Sequence, residues 1–242
     1  NGVVTITAVP KTKGTFKEVE PVSINSNATL SQSCDIHTGV RTITLTNITG
    51  NVNVTFYGTY SYDLITEFTV NAGESVKMLY TYVSSTNKAK ILRIREEDDD
   101  IPVASTHTWA EGGKHILRYS FTNHAVPYDM FNGVTALTGV EIGDCVTALE
   151  SYAFKGTSIE RVVIPETVSS FGSSIFYDCV KLKHAVLPKG ITEIYDSMFR
   201  GCESLQSIDI PDGVTRFGDF AFDGCSSLAS IILPEGVTYV GN

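Results

Sequence analysis

The chain reads as two architectures in series: an all-β sandwich at the N-terminus, then a solenoid of short parallel strands with short helical turns. Two observations predict this. From Val3 to about Arg95, Thr, Val and Tyr-rich segments alternate apolar and polar residues with period two. Beyond Ser158 one unit recurs at a fixed step. Pro165, Pro188, Pro211 and Pro234 lie 23 residues apart, and Phe176, Phe199 and Phe222 keep the same step, as do Cys179, Cys202 and Cys225. Three residue types locked to one period define a repeat array, in which each unit buries its apolar face only against its neighbours.

Taken in order, the first segments are Val3–Thr7, Phe16–Ile24, Ala28–Ile36, Arg41–Thr46 and Val52–Phe56. Phe68–Val70, Val76–Val83 and Lys88–Arg95 follow. Seven or eight short strands with turn residues between them predict an immunoglobulin-like sandwich over residues 1–97. Cys34 is the sole cysteine there, so the inter-sheet disulfide of antibody domains cannot form.

Glu96–Asp100 is a run of five carboxylates, which repel one another and find no apolar partner. It predicts a solvated linker opening residues 98–130. Five consecutive acids cannot all face one ion, and the alternating ligand spacing of a calcium loop is missing. The rest of that segment carries the single tryptophan, Trp109, with His107, His115 and His124. It predicts a cap and degenerate first repeat, with Trp109 sealing the first coil, ahead of a solenoid over residues 131–242. A ligand pocket lined by these aromatics is the sharper alternative.

Within the array, Leu205, Ile208 and Ile210 point inward from a short strand. Pro211 ends that strand because it has no amide to donate, and Gly213 is expected to supply a permissive turn angle. Going backwards the unit decays: Phe154 and Phe131 keep the column, but Gly143 stands where the proline should be and Cys145 where the turn glycine should be. The repeated Phe-x-x-Cys-x-x-Leu-x-x-Ile-x-Leu/Ile-Pro-x-Gly-Val-Thr resembles the BspA-like leucine-rich repeats of bacterial surface proteins, over roughly Ala110 to Asn242. Thr167, Gly190, Gly213 and Gly236 stand where an asparagine is usual, so a conventional asparagine ladder is not expected.

Nothing in the chain forms a catalytic motif. The histidines are scattered and no Cys-x-x-Cys pair of zinc-site spacing exists, so no metal or cofactor is expected. The cysteine column reads as small buried thiols behind the phenylalanines. Asn-x-Thr sequences at Asn27, Asn47 and Asn53 fit glycan acceptors but arise readily in a Thr-rich β region. A net charge of −9 argues against nucleic acid or an anionic membrane as partner, and no apolar run is long enough for a membrane span.

The outward strand positions form two stripes: Glu141, Val163, Val186, Asp209 and Ile232, beside Gly139, Arg161, His184, Ser207 and Ser230. The first, bordered by Arg161 and His184, is the candidate protein-binding surface, although β-propensity alone also favours Val and Ile there. The pattern stops at Asn242 before the next Ala-Phe is due. This predicts a contact over Leu228, Ile231 and Leu233, including self-association. The resemblance implies an exported, bacterial surface protein, secreted or lipid-anchored, acting in adhesion or host-protein binding. Two other readings compete: a carbohydrate-binding module stacking sugars on Trp109, Tyr57, Tyr60 and Tyr62, and a structural spacer for a further domain.

Overall fold

Phenylalanine at a fixed step dictates the core of the repeat region. In the computed structural model, Phe131, Phe154, Phe176, Phe199 and Phe222 stack in one column. Successive ring centroids lie 5.5–5.6 Å apart and the planes are within 10° of parallel. The spacing follows from the coil-to-coil distance, roughly 4.8 Å between hydrogen-bonded strands, with the rings offset as aromatic faces prefer.

The structure describes residues 2–8, 15–16, 29–34, 41–48, 60–61, 63–80, 85–88, 90–96 and 99–242. The chain divides into two compact units, Asn1–Tyr62 and Asp63–Asn242. In the first, Gly2–Ala8, Arg41–Ile48 and Thr29–Cys34 form an antiparallel sheet with Arg41–Ile48 in the centre, and Thr15–Phe16 pairs with Tyr60–Ser61. Most of the expected strands Phe16–Ile24 and Val52–Phe56 lie outside the described residues.

An immunoglobulin-like sandwich over residues 1–97 is not supported. Leu64–Val70 and Ile91–Glu96 belong instead to the second unit. There they lie in a five-stranded antiparallel sheet ordered Leu137–Ile142, Leu64–Val70, Gly113–Phe121, Ile91–Glu96, Asp99–Ile101. Period-two alternation reports that one face of a strand is buried, not what buries it. Here Leu64, Phe68 and Val70 face the core shared with the first coil.

In the acidic run, Glu97 and Asp98 lie outside the described residues, and the other three acids stand in strands and not in a linker. Glu96 ends one strand and Asp99 opens the next, paired as an antiparallel hairpin. Basic neighbours absorb the charge: Asp100 meets Arg93 at 2.8 Å and Arg95 at 3.6 Å. Trp109 is only 5% exposed, but it does not stand on the first coil's ring. It packs on Phe68, at 5.9 Å, while Tyr119 meets Phe131 edge-on at 5.6 Å and closes the column. Leu117 and Tyr119, in a strand antiparallel to both its neighbours, are therefore a cap and not a degenerate coil.

From Ala125 onward, apart from Leu137–Ile142, the ladders are parallel. Arg161–Val163, His184–Val186 and Ser207–Ile208 form one side. Ala125–Val126, Ala148–Leu149 and Ser170–Phe171, then Glu193–Ile194, Arg216–Phe217 and Tyr239–Val240, form the other. The expected helical turns are absent: among the described residues the one helix is Ser85–Lys88, outside the repeats. The corners are instead left-handed residues in register, Asp129, Tyr152, Ser174, Ser197 and Phe220, with φ of 52–64°.

Nor does Gly213 supply the special angle. The glycines with positive φ in the late coils are Gly201 and Gly224, two residues after the stacked phenylalanine. Other glycines serve close approach. A Cβ on Gly218 would meet Asp196 N at 2.5 Å, and one on Gly241 would meet Asp219 N at 2.7 Å. Tyr195 carries a Cβ in that column, and the second ladder is interrupted there, between Ser170–Phe171 and Glu193–Ile194.

Phe199→Ala removes a fully buried ring packed between two others. The variant should lose about 3–5 kcal/mol of unfolding free energy in urea titration. A loss under about 1 kcal/mol would show that the stack contributes little.

Candidate functional site: the sheet face and the inter-coil columns

On the open sheet the middle residues Val162, Ala185 and Ile208 are buried, and their neighbours face outward. Register places Arg161 beside His184, His184 beside Ser207, and Val163 beside Val186. Val163 and Val186 are each 46% exposed. The apolar pair and its basic border are thus contiguous, on strands stiffened by buried neighbours. Glu141 lies on the strand Leu137–Ile142, which pairs with the cap strand Leu64–Val70 and packs beside Arg161–Val163 without joining the parallel ladder.

Asp209 follows the last paired residue, and Ile232, 86% exposed, sits in a coil that adds no strand to this side. Glu67, Lys114, Glu160, Arg161 and Val163 line a shallow cleft of about 600 Å³ beside the stripe. In it Lys114 meets Glu67 at 3.0 Å; at its border Lys183 meets Glu160 at 2.8 Å.

The cysteine column does what an asparagine ladder would otherwise do. Cys179 Sγ donates to Phe154 O at 3.1 Å, Cys202 to Phe176 O at 3.2 Å, and Cys225 to Phe199 O at 3.1 Å. Each thiol ties a coil to the one before it. A second set runs along the opposite corner. Ser151 Oγ accepts from Ser173 N, Asp196 Oδ1 from Asp219 N, and Asp219 Oδ1 from Asn242 N, at 2.9–3.1 Å. Short polar side chains thus satisfy backbone groups that the coil leaves without a strand partner.

Burial disfavours the thiolate, raising Cys179 and Cys225 from an ordinary value of 9.0 to about 11 and pushing Cys202 up as well. Cys145, Cys179, Cys202 and Cys225 are free thiols.

Trp109 fails as a sugar platform. Its face is covered, and its Nε1 donates to Glu96 Oε2 at 2.8 Å, while Glu96 Oε1 holds His115 Nδ1 at 2.6 Å. Of the tyrosines suggested with it, Tyr57 and Tyr62 lie outside the described residues, and nothing is described of the Tyr60 side chain.

One constellation escaped sequence reasoning. Asp63 is 2% exposed, with its carboxylate Oδ1 2.6 Å from His124 Nδ1 and 3.2 Å from Cys145 Sγ, while Oδ2 accepts from Phe121 N at 2.5 Å. The carboxylate hydrogen bond holds His124 above its ordinary range. No local spacing announces residues 63, 124 and 145. The available signal was that Gly143 and Cys145 break the repeat at the same turn.

A family model described as BspA type Leucine rich repeat region matches residues 124–242 in six copies. Among solved structures, a leucine-rich repeat protein from Bacteroides ovatus ATCC 8483 is 26% identical, with a TM-score of 0.49, covering 50% of this chain and 32% of its own. A leucine rich cell surface protein from Faecalibacterium prausnitzii A2-165 is 33% identical, with a TM-score of 0.37, covering 40% and 29%. The T. pallidum Leucine Rich Repeat protein is 33% identical, with a TM-score of 0.36, covering 38% and 44%. The chain therefore spans less than half the length of these proteins. No curated protein matches it. Among the described residues no helix is long and apolar enough to cross a membrane.

Two outcomes follow for the thiols. Cys179, Cys202 and Cys225 should not react with an aromatic disulfide reagent in native protein and should react at once in denaturant; rapid native labelling would contradict the burial. Cys179 is protonated more strongly folded than unfolded. Its stabilisation is therefore full below pH 9 and is lost as the pH rises through about 11, at about 1.4 kcal/mol per pH unit. Alkaline melts of Cys179→Ser should be less steep in pH than those of the parent.

Proposed function

Because residues 124–242 belong to the BspA-type leucine-rich-repeat family, we propose that the protein is a non-catalytic binding module of the bacterial cell surface, working in adhesion. Its solenoid sheet face holds a protein partner. The observation that carries this reading is the in-register pair Val163 and Val186, each 46% exposed, beside Arg161 and His184. Solvent gives no reason to place two valines side by side outward, whereas a partner's apolar side chains do. The basic pair beside them adds hydrogen-bond donors that orient an acidic or carbonyl-rich partner.

Glu141, Asp209 and Ile232 would extend the stripe to either side. A rigid, repeated, slightly charged surface of this sort binds by complementarity along its length, which is the usual use of a solenoid sheet. A host matrix or surface protein is the partner class the family resemblance favours. The exposed Ile232, Leu233, Tyr239 and Val240 in the last coil offer a second contact for another copy or further repeats.

The double variant Val163→Lys/Val186→Lys should keep its circular dichroism and melting temperature, since both side chains already face solvent. Its retention on a panel of immobilised extracellular-matrix proteins should fall at least tenfold. Unchanged retention would remove the sheet face from consideration. Binding on a glycan array instead of the matrix panel would favour a carbohydrate module.

A further inference from the structure

Three departures from the repeat converge on one buried carboxylate. In the last two coils the turn reads Pro-x-Gly-Val-Thr; in the earliest it reads Gly143-Asp-Cys145-Val-Thr147, and one step before Thr147 in the same column stands His124. Gly143 has the amide that proline lacks, and it donates to Asp63 O at 2.9 Å. Asp63 N in turn donates to Tyr119 O at 3.0 Å, so main-chain bonds on both sides fix the residue. The turn's glycine column then delivers a thiol, and the threonine column delivers an imidazole, to Asp63 Oδ1. Neither substitution is needed to close the coil, since Val146 N still bonds Gly143 O at 3.0 Å.

We propose that Asp63, His124 and Cys145 form a three-ligand site for a divalent metal ion of the zinc class. Nδ1, Sγ and a carboxylate oxygen all lie within 4.8 Å of one another. Mixed N, S and O donors suit a borderline-soft ion and do not suit calcium or magnesium, which take oxygen shells. Tetrahedral bonds of about 2.0–2.3 Å place ligand atoms roughly 3.3–3.7 Å apart. The carboxylate and imidazole, 2.6 Å apart, therefore need to part by about 0.7 Å to share the ion.

Phe121 N donates to Oδ2 and so fixes the orientation of the carboxylate from behind. His124 and Cys145 are only half-buried, which leaves an approach for the ion and a fourth position for water. On binding, the Cys145 S–H bond breaks and its proton passes to solvent; the proton that His124 Nδ1 shares with Asp63 Oδ1 also leaves Nδ1, to solvent from the imidazolium or by exchange to Nε2 in the neutral ring, so that Nδ1 binds with the remaining hydrogen on Nε2.

The test uses chelator-stripped protein titrated with Zn²⁺ and Co²⁺ alone. One equivalent should bind, Co²⁺ should give a thiolate charge-transfer band, and affinity should rise with pH as protons are released. Cys145→Ser and His124→Gln should each weaken binding at least tenfold. Zn²⁺ should also protect Cys145 from alkylation in the unaltered protein, read by mass spectrometry of its peptide, a readout that needs no variant to fold. No stoichiometric binding, a Co²⁺ spectrum without the thiolate band, or alkylation of Cys145 indifferent to Zn²⁺ would each overturn the site.

Discussion

Each coil of the repeat region must offer its neighbour the same side chain at the same height, because parallel strands fix the step between coils at about 4.8 Å. Phenylalanine meets this requirement five times, from Phe131 to Phe222, in rings that stay almost parallel. A flat ring can stack on its own copy indefinitely, so the column neither frustrates nor saturates as coils are added. Around it the thiols of Cys179, Cys202 and Cys225 and the carboxylates of Asp196 and Asp219 tie each coil to the next by one hydrogen bond apiece. These bonds are individually modest, about 1 kcal/mol net, but leaving the same groups unpaired inside would cost more.

The two ends solve different problems. At the start, a five-stranded antiparallel sheet supplies Tyr119 to close the aromatic column edge-on, with Trp109 and Phe68 packed beyond it. Parallel coils cannot end on themselves without baring an apolar face, so the cap must bring strands of another kind. At the last coil the apolar residues Ile232, Leu233 and Val240 stay exposed.

The proposed binding surface and the framework use different columns. The inward columns are spent on stacking, which frees the outward columns of the sheet to vary. Val163, Val186, Arg161 and His184 flank buried residues on the same strands, which hold the proposed binding surface in place. At the seam between cap and first coil the repeat pattern relaxes, and there Asp63, His124 and Cys145 come together.

The sequence alone determined the solenoid, its phenylalanine and cysteine columns and which strand residues face outward, because a fixed period forces equivalent side chains into equivalent places. It also singled out Gly143 and Cys145 as departures without showing what they approach. What only the tertiary structure decided depends on pairing between distant segments. Alternation at Leu64–Val70 and Ile91–Glu96 marked a buried face, yet nothing local states that the face belongs to the solenoid's cap. The acidic run became a hairpin because Arg93 and Arg95 lie across from it, and the coil corners became left-handed at Tyr152, Ser197 and Phe220, residues with no intrinsic claim to that conformation. Periodicity encodes contacts along the solenoid axis; contacts between unlike segments are set by the packing they achieve together.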